Sequence, residues 1–282
     1  MKTQSYYKVK KVVINTLIHL FLISVAVSCI VPLGWMISSS LKTQETVFKD
    51  MSFIPRQAHF ENYALAWQQG GFGQYFLNSI IYVVFVVLGI IIVASLAAYA
   101  FSRLRFPGRN LLFLMFMAAM MIPIPGSFVA LYVLLNKLHL RNTAVGYILC
   151  MISVGLSMSI FLLKTFFDKL PRELEDAARI DGASKFGIWW HVAMPLARPV
   201  LAVVVIFNAL NVWNEYVLAL IIFDSKSLMP LQRALMVFQG EFMTNYPLLM
   251  AGLTITALPI ILIYLLMQKY IIRGVTSGVT FS

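Results

Sequence analysis

The sequence predicts an all-α integral membrane protein with six transmembrane helices. Sixty per cent of its 282 residues are apolar and 12% are charged, whereas an average soluble chain carries about 25% charged residues. Six apolar stretches each reach the length of about 20 residues that a helix needs to cross a bilayer. Hydrocarbon offers backbone groups no hydrogen-bond partner, so these stretches are predicted to be helices. The alternating pattern of a membrane β-barrel is absent.

The six predicted spans follow one another along the whole chain. They are Val12–Ile37, Phe76–Phe101, Leu111–Leu135, Thr143–Leu163, Val200–Phe223 and Leu248–Gln268. Glu215 is the one Asp, Glu, Lys or Arg residue inside any of them. The third span contains Pro123 and Pro125, which remove backbone donors and interrupt helical geometry. This interruption predicts a hinge or pathway element, or else a packing kink or the end of the span.

The distribution of Lys and Arg among the loops predicts the orientation. The larger share lies in the N-terminal tail, residues 102–110, residues 164–199 and residues 269–282. Because basic loops stay cytoplasmic, both termini and residues 164–199 are predicted to be cytoplasmic, with residues 43–75 outside. The net charge of +11 does not indicate nucleic-acid binding, since these charges lie in short loops beside apolar runs.

A compact charged insert occupies residues 164–199 between two apolar runs. Pro171 suits the first position of a helix. Three acidic residues follow where the positive end of a helix dipole favours them: Glu173, Glu175 and Asp176. Gly182 predicts the end of this helix, and a second short helix is expected from about Ala183 to Val192. The other interpretation is an ordinary solvated loop with helical content.

The insert carries no recognisable catalytic chemistry. Ala177 and Ala178 leave a flat helix face that allows close approach of another protein. The chain lacks the Gly-x-x-x-x-Gly-Lys-[Ser/Thr] pattern of a phosphate-binding loop. No nucleophile–base pair, carboxylate dyad or metal-ligand spacing of Cys and His is present. The chain is therefore predicted not to be an enzyme, and ATP hydrolysis, if it drives transport, must occur on another chain.

The spacing within the insert resembles the EAA loop of importer-type ABC transporter permeases. The loop reads Asp176-Ala177-Ala178, three residues, Gly182, nine residues, then Val192-Ala193-Met194-Pro195. The family pattern is Glu-Ala-Ala, three residues, Gly, nine residues, Ile-x-Leu-Pro. Asp176, Val192 and Met194 depart from it conservatively.

Segments along nearly the whole chain resemble the carbohydrate-importer branch of that family, in particular the six-span subunit of the maltose-type sugar importer. They are Glu61-Asn62-Tyr63, Asn78-Ser79, Ala97-Ala98-Tyr99-Ala100-Phe101-Ser102-Arg103, Phe106-Pro107-Gly108-Arg109, Ile180-Asp181-Gly182-Ala183-Ser184, Trp213-Asn214-Glu215-Tyr216 and Gly274-Val275-Thr276-Ser277-Gly278.

The resemblance implies a division of the chain and a set of partners. Residues 1–75 would hold the N-terminal tail, the first span and an extracytoplasmic segment, residues 76–268 a five-helix permease core, and residues 269–282 a cytoplasmic tail that could reach toward the ATPases. A second permease, expected to be a different chain, two ATPase subunits and an extracytoplasmic sugar-binding protein would complete the transporter in a prokaryotic inner membrane. No cofactor is expected on this chain, and ATP and Mg would bind to the ATPase.

The resemblance also implies which residues dock on the ATPase. The EAA helix would insert in a cleft of one ATPase and carry its motion to the membrane helices. The residues assigned to this docking are Glu175, Asp176, Ala177, Ala178, Gly182 and Pro195.

The fifth predicted span is unusually polar. Asn208, Asn211 and Glu215 are spaced to share one helix face, with Asn214 beside them. Amides both donate and accept hydrogen bonds, so this face suits a hydroxyl-rich solute in a translocation pathway. The alternative is that the amides join neighbouring helices within the membrane.

Two other classes of protein compete with the transporter subunit. A secondary transporter that works without ATP commonly shows internal repeats, and none is evident here. A structural membrane scaffold would need neither the polar residues of the fifth span nor the paired prolines of the third.

Overall fold

The computed structural model of the chain describes residues 2–121, 127–240 and 244–276. Regular structure in these residues is helical, apart from one isolated bridge between Gln239 and Thr244. The α-helices are α1 (Lys2–Ser40), α2 (Glu61–Gln69), α3 (Phe72–Arg103), α4 (Arg109–Met121), α5 (Ser127–Lys137), α6 (Ala144–Lys169), α7 (Glu173–Ile180), α8 (Lys185–Ile188), α9 (Met194–Leu196), α10 (Arg198–Asn214), α11 (Val217–Ile222), α12 (Gln232–Met236) and α13 (Tyr246–Thr276). A π-helical turn, Trp189–Ala193, joins α8 to α9, and Lys226–Leu228 form a 3-10 turn.

Four helices in the described residues are long and apolar enough to cross a membrane. They are Lys11–Ser40, Phe72–Arg103, Ala144–Lys169 and Tyr246–Leu265. A fifth crossing is added if the pair Lys185–Leu196 and Arg198–Asn214, bent by 79°, counts as one span. The structure therefore supports a multi-pass helical protein with four to five spans by length and composition, where the sequence predicts six.

The third predicted span, Leu111–Leu135, is divided between two shorter apolar helices. They are α4, which ends at Met121, and α5, which begins at Ser127. Neither reaches the length of about 20 residues that one crossing requires. The paired prolines between them, Pro123 and Pro125, lie outside the described residues.

The fifth predicted span, Val200–Phe223, is not one continuous helix, and that prediction is wrong. Helix α10 ends at Asn214, and Glu215 has an extended backbone. The Glu215 carboxylate accepts hydrogen bonds from the backbone N–H groups of Leu218 and Ala219. These N–H groups lie in the first turn of α11, where a helix leaves its donors unpaired. Glu215 therefore ends one helix and caps the next.

The chain forms two compact units. One contains Met1–Gly70 with Leu235–Ile255, and the other Gly71–Ala234 with Thr256–Ser282. In the first unit, the ammonium group of the buried Lys42 donates to the backbone oxygens of Asp50 (2.6 Å) and Ser52 (2.8 Å). This lysine orders the loop after α1. The division made from the sequence, into residues 1–75, 76–268 and 269–282, stays a prediction.

The second unit is built on α3, which packs along α6 and α10. An aromatic cluster of Tyr82, Tyr147 and Phe223 lies in its core, with ring centroids 4.7 to 5.9 Å apart. The Asn78 amide donates to the backbone oxygens of Ser227 (2.7 Å) and Met229 (2.9 Å). This amide therefore fixes the segment that follows α11 against α3.

Gly155 lies where α6 packs closely against two neighbouring helices in this unit. A Cβ atom built there would lie 2.3 Å from Oδ1 of Asn208 and 2.4 Å from Cδ1 of Ile90. Asn208 belongs to α10 and Ile90 to α3. Three helices therefore meet at this glycine.

We expect Gly155→Ala to destabilise the protein by about 1–3 kcal/mol, because the extra methyl group overpacks a closed junction. The thermal denaturation midpoint of the purified protein measures this. Gly73→Ala is the matched control, since a Cβ at Gly73 in α3 meets no atom within 4 Å. Equal midpoints for the two variants would contradict a tight junction at Gly155.

Candidate functional site

Helix α7 is the centre of the predicted docking loop. It runs from Glu173 to Ile180 and has three acidic residues in its first turn, as the helix dipole favours. Asp176 lies on the surface, 3.0 Å from Nη1 of Arg179. Glu175 is instead buried, so the two neighbouring acids of α7 face different surroundings.

Glu175 forms a buried ion pair with Arg103, the last residue of α3. Nε of Arg103 lies 2.9 Å from Oε1 of Glu175, and the two side chains are 6% and 8% exposed. Nη2 of Arg103 also donates to the backbone oxygen of Leu170 at 2.6 Å. Arg103 therefore connects the end of a membrane-length helix to α7 and to the segment that leads into it.

A second polar connection lies beside this ion pair. The Ser102 hydroxyl donates to Oδ1 of Asp168 at 2.6 Å, and the Lys164 ammonium group donates to Oδ2 of the same carboxylate at 2.6 Å. Asp168 belongs to α6, so the ends of α3 and α6 are held together where α7 begins. Helix α7 is therefore linked to α3 through Arg103, and the same end of α3 is linked to α6 through Asp168.

Gly182 ends α7 in the way the sequence predicts. Its φ of +84° is left-handed, a conformation that favours glycine. The N–H of Ala183 donates to the oxygen of Ala178 (2.9 Å), and the N–H of Gly182 donates to that of Arg179 (3.0 Å). These two bonds form a Schellman motif, which satisfies carbonyls at the end of the helix.

The outer surface of α7 and α8 exposes apolar side chains. Ala177 is exposed and Ala178 is half-buried. Ile180 is 87% exposed, and Phe186 in α8 is 63% exposed. The sequence analysis assigned no docking role to Ile180 or Phe186. Their apolar character within a charged insert was the available signal, but exposure could be read only from the structure.

Pro195, the remaining predicted docking residue, lies after α8. The sequence predicted one helix from about Ala183 to Val192, whereas the structure has α8, the π-helical turn and α9 in succession. Trp189 is buried in this segment, and Trp190 is exposed. Pro195 is exposed and lies within α9. The last four residues of the EAA-like pattern, 192–195, are therefore helical.

The polar residues of the fifth predicted span separate in the structure. The buried Asn208 donates through Nδ2 to Oγ of Ser159 (3.0 Å) and to the oxygen of Val204 (2.8 Å), so it joins α10 to α6. Asn211 and Asn214 are exposed at the end of α10. Glu215 lies beyond that helix and accepts a hydrogen bond from the Tyr147 hydroxyl at 3.0 Å. The four residues therefore do not form one continuous polar face.

The fold is that of a multi-pass helical membrane protein. Residues 90–277 match the family model described as "Binding-protein-dependent transport system inner membrane component", and the chain belongs to this family.

Individual relatives match over nearly the whole chain. The probable ABC transporter permease protein YurM of Bacillus subtilis (strain 168) is 34% identical over 94% of this chain and 88% of its own length. The diacetylchitobiose uptake system permease protein NgcG of Streptomyces coelicolor is 33% identical over 92% of this chain and 87% of its own length. These relatives are permeases, so the chain is a transport subunit rather than an enzyme, and ATP hydrolysis belongs to a separate ATPase.

A solved structure shares the fold. A chain in the crystal structure of a bacterial ABC transporter involved in the import of the acidic polysaccharide alginate superposes with a TM-score of 0.81 at 24% identity. The match covers 92% of this chain and 96% of the other. This chain therefore shares the fold of that chain. Membership of the binding-protein-dependent family implies, in general, a partner permease, an ATPase and a substrate-binding protein.

Proposed function

We propose that this chain forms half of the translocation pathway of an ATP-driven sugar importer, with oligosaccharides as the favoured substrate class. The name of NgcG, which describes diacetylchitobiose uptake, supports this class of substrate. A secondary transporter and a structural scaffold are both disfavoured, because the chain belongs to a family of binding-protein-dependent transporters.

We propose six spans with both termini in the cytoplasm. Helices α4 and α5 together would make the third crossing, and α10 with α11 the fifth, broken at Glu215. The excess of Lys and Arg in the loops assigned to the cytoplasm supports this orientation. It would place α7 in the cytoplasm.

The proposed assembly has one copy of this chain, a second permease of different sequence, two ATPase subunits and an extracytoplasmic sugar-binding protein. ATP and Mg would bind to the ATPase subunits. The exposed side chains of Asn211 and Asn214 would face the partner permease or the pathway, because polar side chains are costly against lipid. Asn208 would join helices within this subunit.

The observation that carries the docking proposal is the two-sided character of α7. Its inner side is fixed to α3 through the buried pair of Glu175 and Arg103. Its outer side exposes Ala177 and Ile180. A helix that is attached to a membrane-length helix on one side, and that exposes apolar side chains among charged ones on the other, suits transfer of motion from an ATPase cleft.

We expect Ile180→Asp to lower the amount of ATPase that copurifies with this chain by about tenfold or more. Burial of such a side chain stabilises an interface by about 1.5–3 kcal/mol, and the carboxylate removes this gain. Ile54→Asp is the matched control, because Ile54 is 83% exposed but lies in the segment predicted to be outside. Equal recovery of ATPase with both variants would contradict docking through α7.

The substrate class is tested by uptake in a strain that lacks the chromosomal copy of this chain. A panel of labelled mono- and oligosaccharides should show restored uptake of an oligosaccharide when the chain is supplied again. Restoration of a labelled amino acid or ion instead, with no sugar restored, would refute the sugar assignment.

A further inference from the structure

A basic cavity lies beside the start of α7. It is separate from the exposed apolar side chains of α7 and α8 and from the polar residues at the end of α10. Its volume is 550 Å³, and its lining includes three arginines, Arg105, Arg109 and Arg172. No Asp or Glu lines it. In the described residues, no carboxylate oxygen lies within 4.0 Å of any of these three guanidinium groups.

We propose that this cavity binds the headgroup of an anionic phospholipid. A guanidinium group presents several N–H donors in a plane and pairs well with phosphate oxygens. Within the described residues, Arg109 makes two long hydrogen bonds, to the oxygen of Leu104 (3.3 Å) and to Oδ1 of Asn110 (3.4 Å). These bonds use Nη1 and Nε, so the donors on Nη2 would be available to a phosphate.

The surroundings of the cavity favour a lipid over a free anion. Leu111 lines the cavity and is 65% exposed, and Leu114 on the same helix is 61% exposed. Charged arginines and exposed leucines therefore lie side by side at the beginning of α4. This arrangement matches a molecule with a phosphate at one end and acyl chains at the other. A soluble phosphate would contact the arginines alone, whereas a phospholipid would contact both the arginines and the leucines.

The cavity also contacts the coupling loop, since Arg172 is the residue directly before α7. A bound headgroup would neutralise Arg172 and hold it near Arg105 and Arg109, which line the same cavity. The lipid would therefore link the start of α7 to the start of α4. In the proposed orientation, this lipid would belong to the cytoplasmic leaflet, so its leaflet rests on the proposed function. The binding of the lipid does not depend on transport.

The test measures bound lipid on the intact transporter by native mass spectrometry. The purified complex is titrated with phosphatidylglycerol and, separately, with phosphatidylcholine of the same acyl chains. The site variant is Arg105→Gln with Arg172→Gln, both at exposed positions. The control is Lys185→Gln with Arg198→Gln, which removes the same charge from exposed positions of the same loop region outside the cavity.

We expect the site variant to bind phosphatidylglycerol roughly tenfold more weakly, while the control stays close to the unaltered protein. Should the double variant fail to assemble, Arg105→Gln alone gives a smaller loss in the same direction.

Equal losses in site and control variants would overturn the proposal, since they would indicate that the lipid responds to the overall positive charge of this surface and not to the cavity. Equal binding of phosphatidylcholine, or full displacement of phosphatidylglycerol by millimolar inorganic phosphate, would also overturn it. If the site variant lost sugar transport but bound phosphatidylglycerol as before, the lipid proposal would be overturned. The proposed sugar-import function would not be affected by that result.

Discussion

Glu175→Gln is expected to destabilise the protein by on the order of 3 kcal/mol and to weaken coupling of ATP hydrolysis to transport. The substitution keeps the size of the side chain but leaves the buried guanidinium group of Arg103 without its counter-charge. Breaking a buried ion pair from one side is costly because the remaining charge stays away from water. The midpoint of thermal denaturation and the number of ATP molecules hydrolysed per sugar imported are the two measurements.

Asp176→Asn provides the matched control for stability. Asp176 is the adjacent acid on the same helix, but it is exposed and pairs with Arg179 on the surface. Exposed pairs contribute about 0–1 kcal/mol, so its denaturation midpoint should change little. The charge reversal Arg103→Glu with Glu175→Arg should recover part of the lost stability. Equal midpoints for Glu175→Gln and Asp176→Asn would show that the pair does not hold α7.

Gly182→Val is expected to uncouple ATP hydrolysis from sugar import while the protein remains in the membrane. The backbone at Gly182 is left-handed, which costs a residue with a Cβ about 1–2 kcal/mol and a β-branched residue more. A Cβ there meets no atom within 4 Å, so the effect comes from the backbone rather than from a collision. The valine should disrupt the hydrogen bonds that end α7. The measurement is transport per ATP hydrolysed in proteoliposomes.

Gly182→Asn separates backbone conformation from surface contact. Asparagine adopts the left-handed conformation more readily than other residues with a Cβ, so this variant should keep most of the coupling. Both variants add a side chain at the same exposed point. If asparagine and valine were equally damaging, the cause would be contact between this point and the ATPase, and the conformational explanation would fail.

The helices were predictable from the sequence to different extents. The apolar runs that begin near Val12, Phe76 and Thr143 all became long helices, because apolar length alone decides whether a helix can cross a membrane. The run from Val200 to Phe223 was misread as one helix, since nothing local in the sequence showed that the Glu215 side chain would cap α11.

The docking loop was predictable in position but not in orientation. Its charged composition placed a helix before Gly182, and the structure has α7 ending there. The sequence grouped Glu175 with the docking residues, yet its carboxylate lies inside the subunit, on Arg103. In the sequence, Arg103 is recognisable only as part of a basic loop and of a segment that resembles the family. The docking role of all the residues assigned to it, Glu175 included, stays a prediction.

The sequence by itself determined that this chain is a helical membrane protein, where α7 stops and which family it belongs to. Each of these properties depends on residues close together along the chain: runs of apolar side chains, a glycine that permits a left-handed turn, and the spacing of a short motif. Only the tertiary structure decided that Glu175 points inward, that Asn208 bonds to Ser159 and that Ile180 is exposed. Those outcomes depend on which helices pack together, and packing brings into contact residues that are far apart in the sequence.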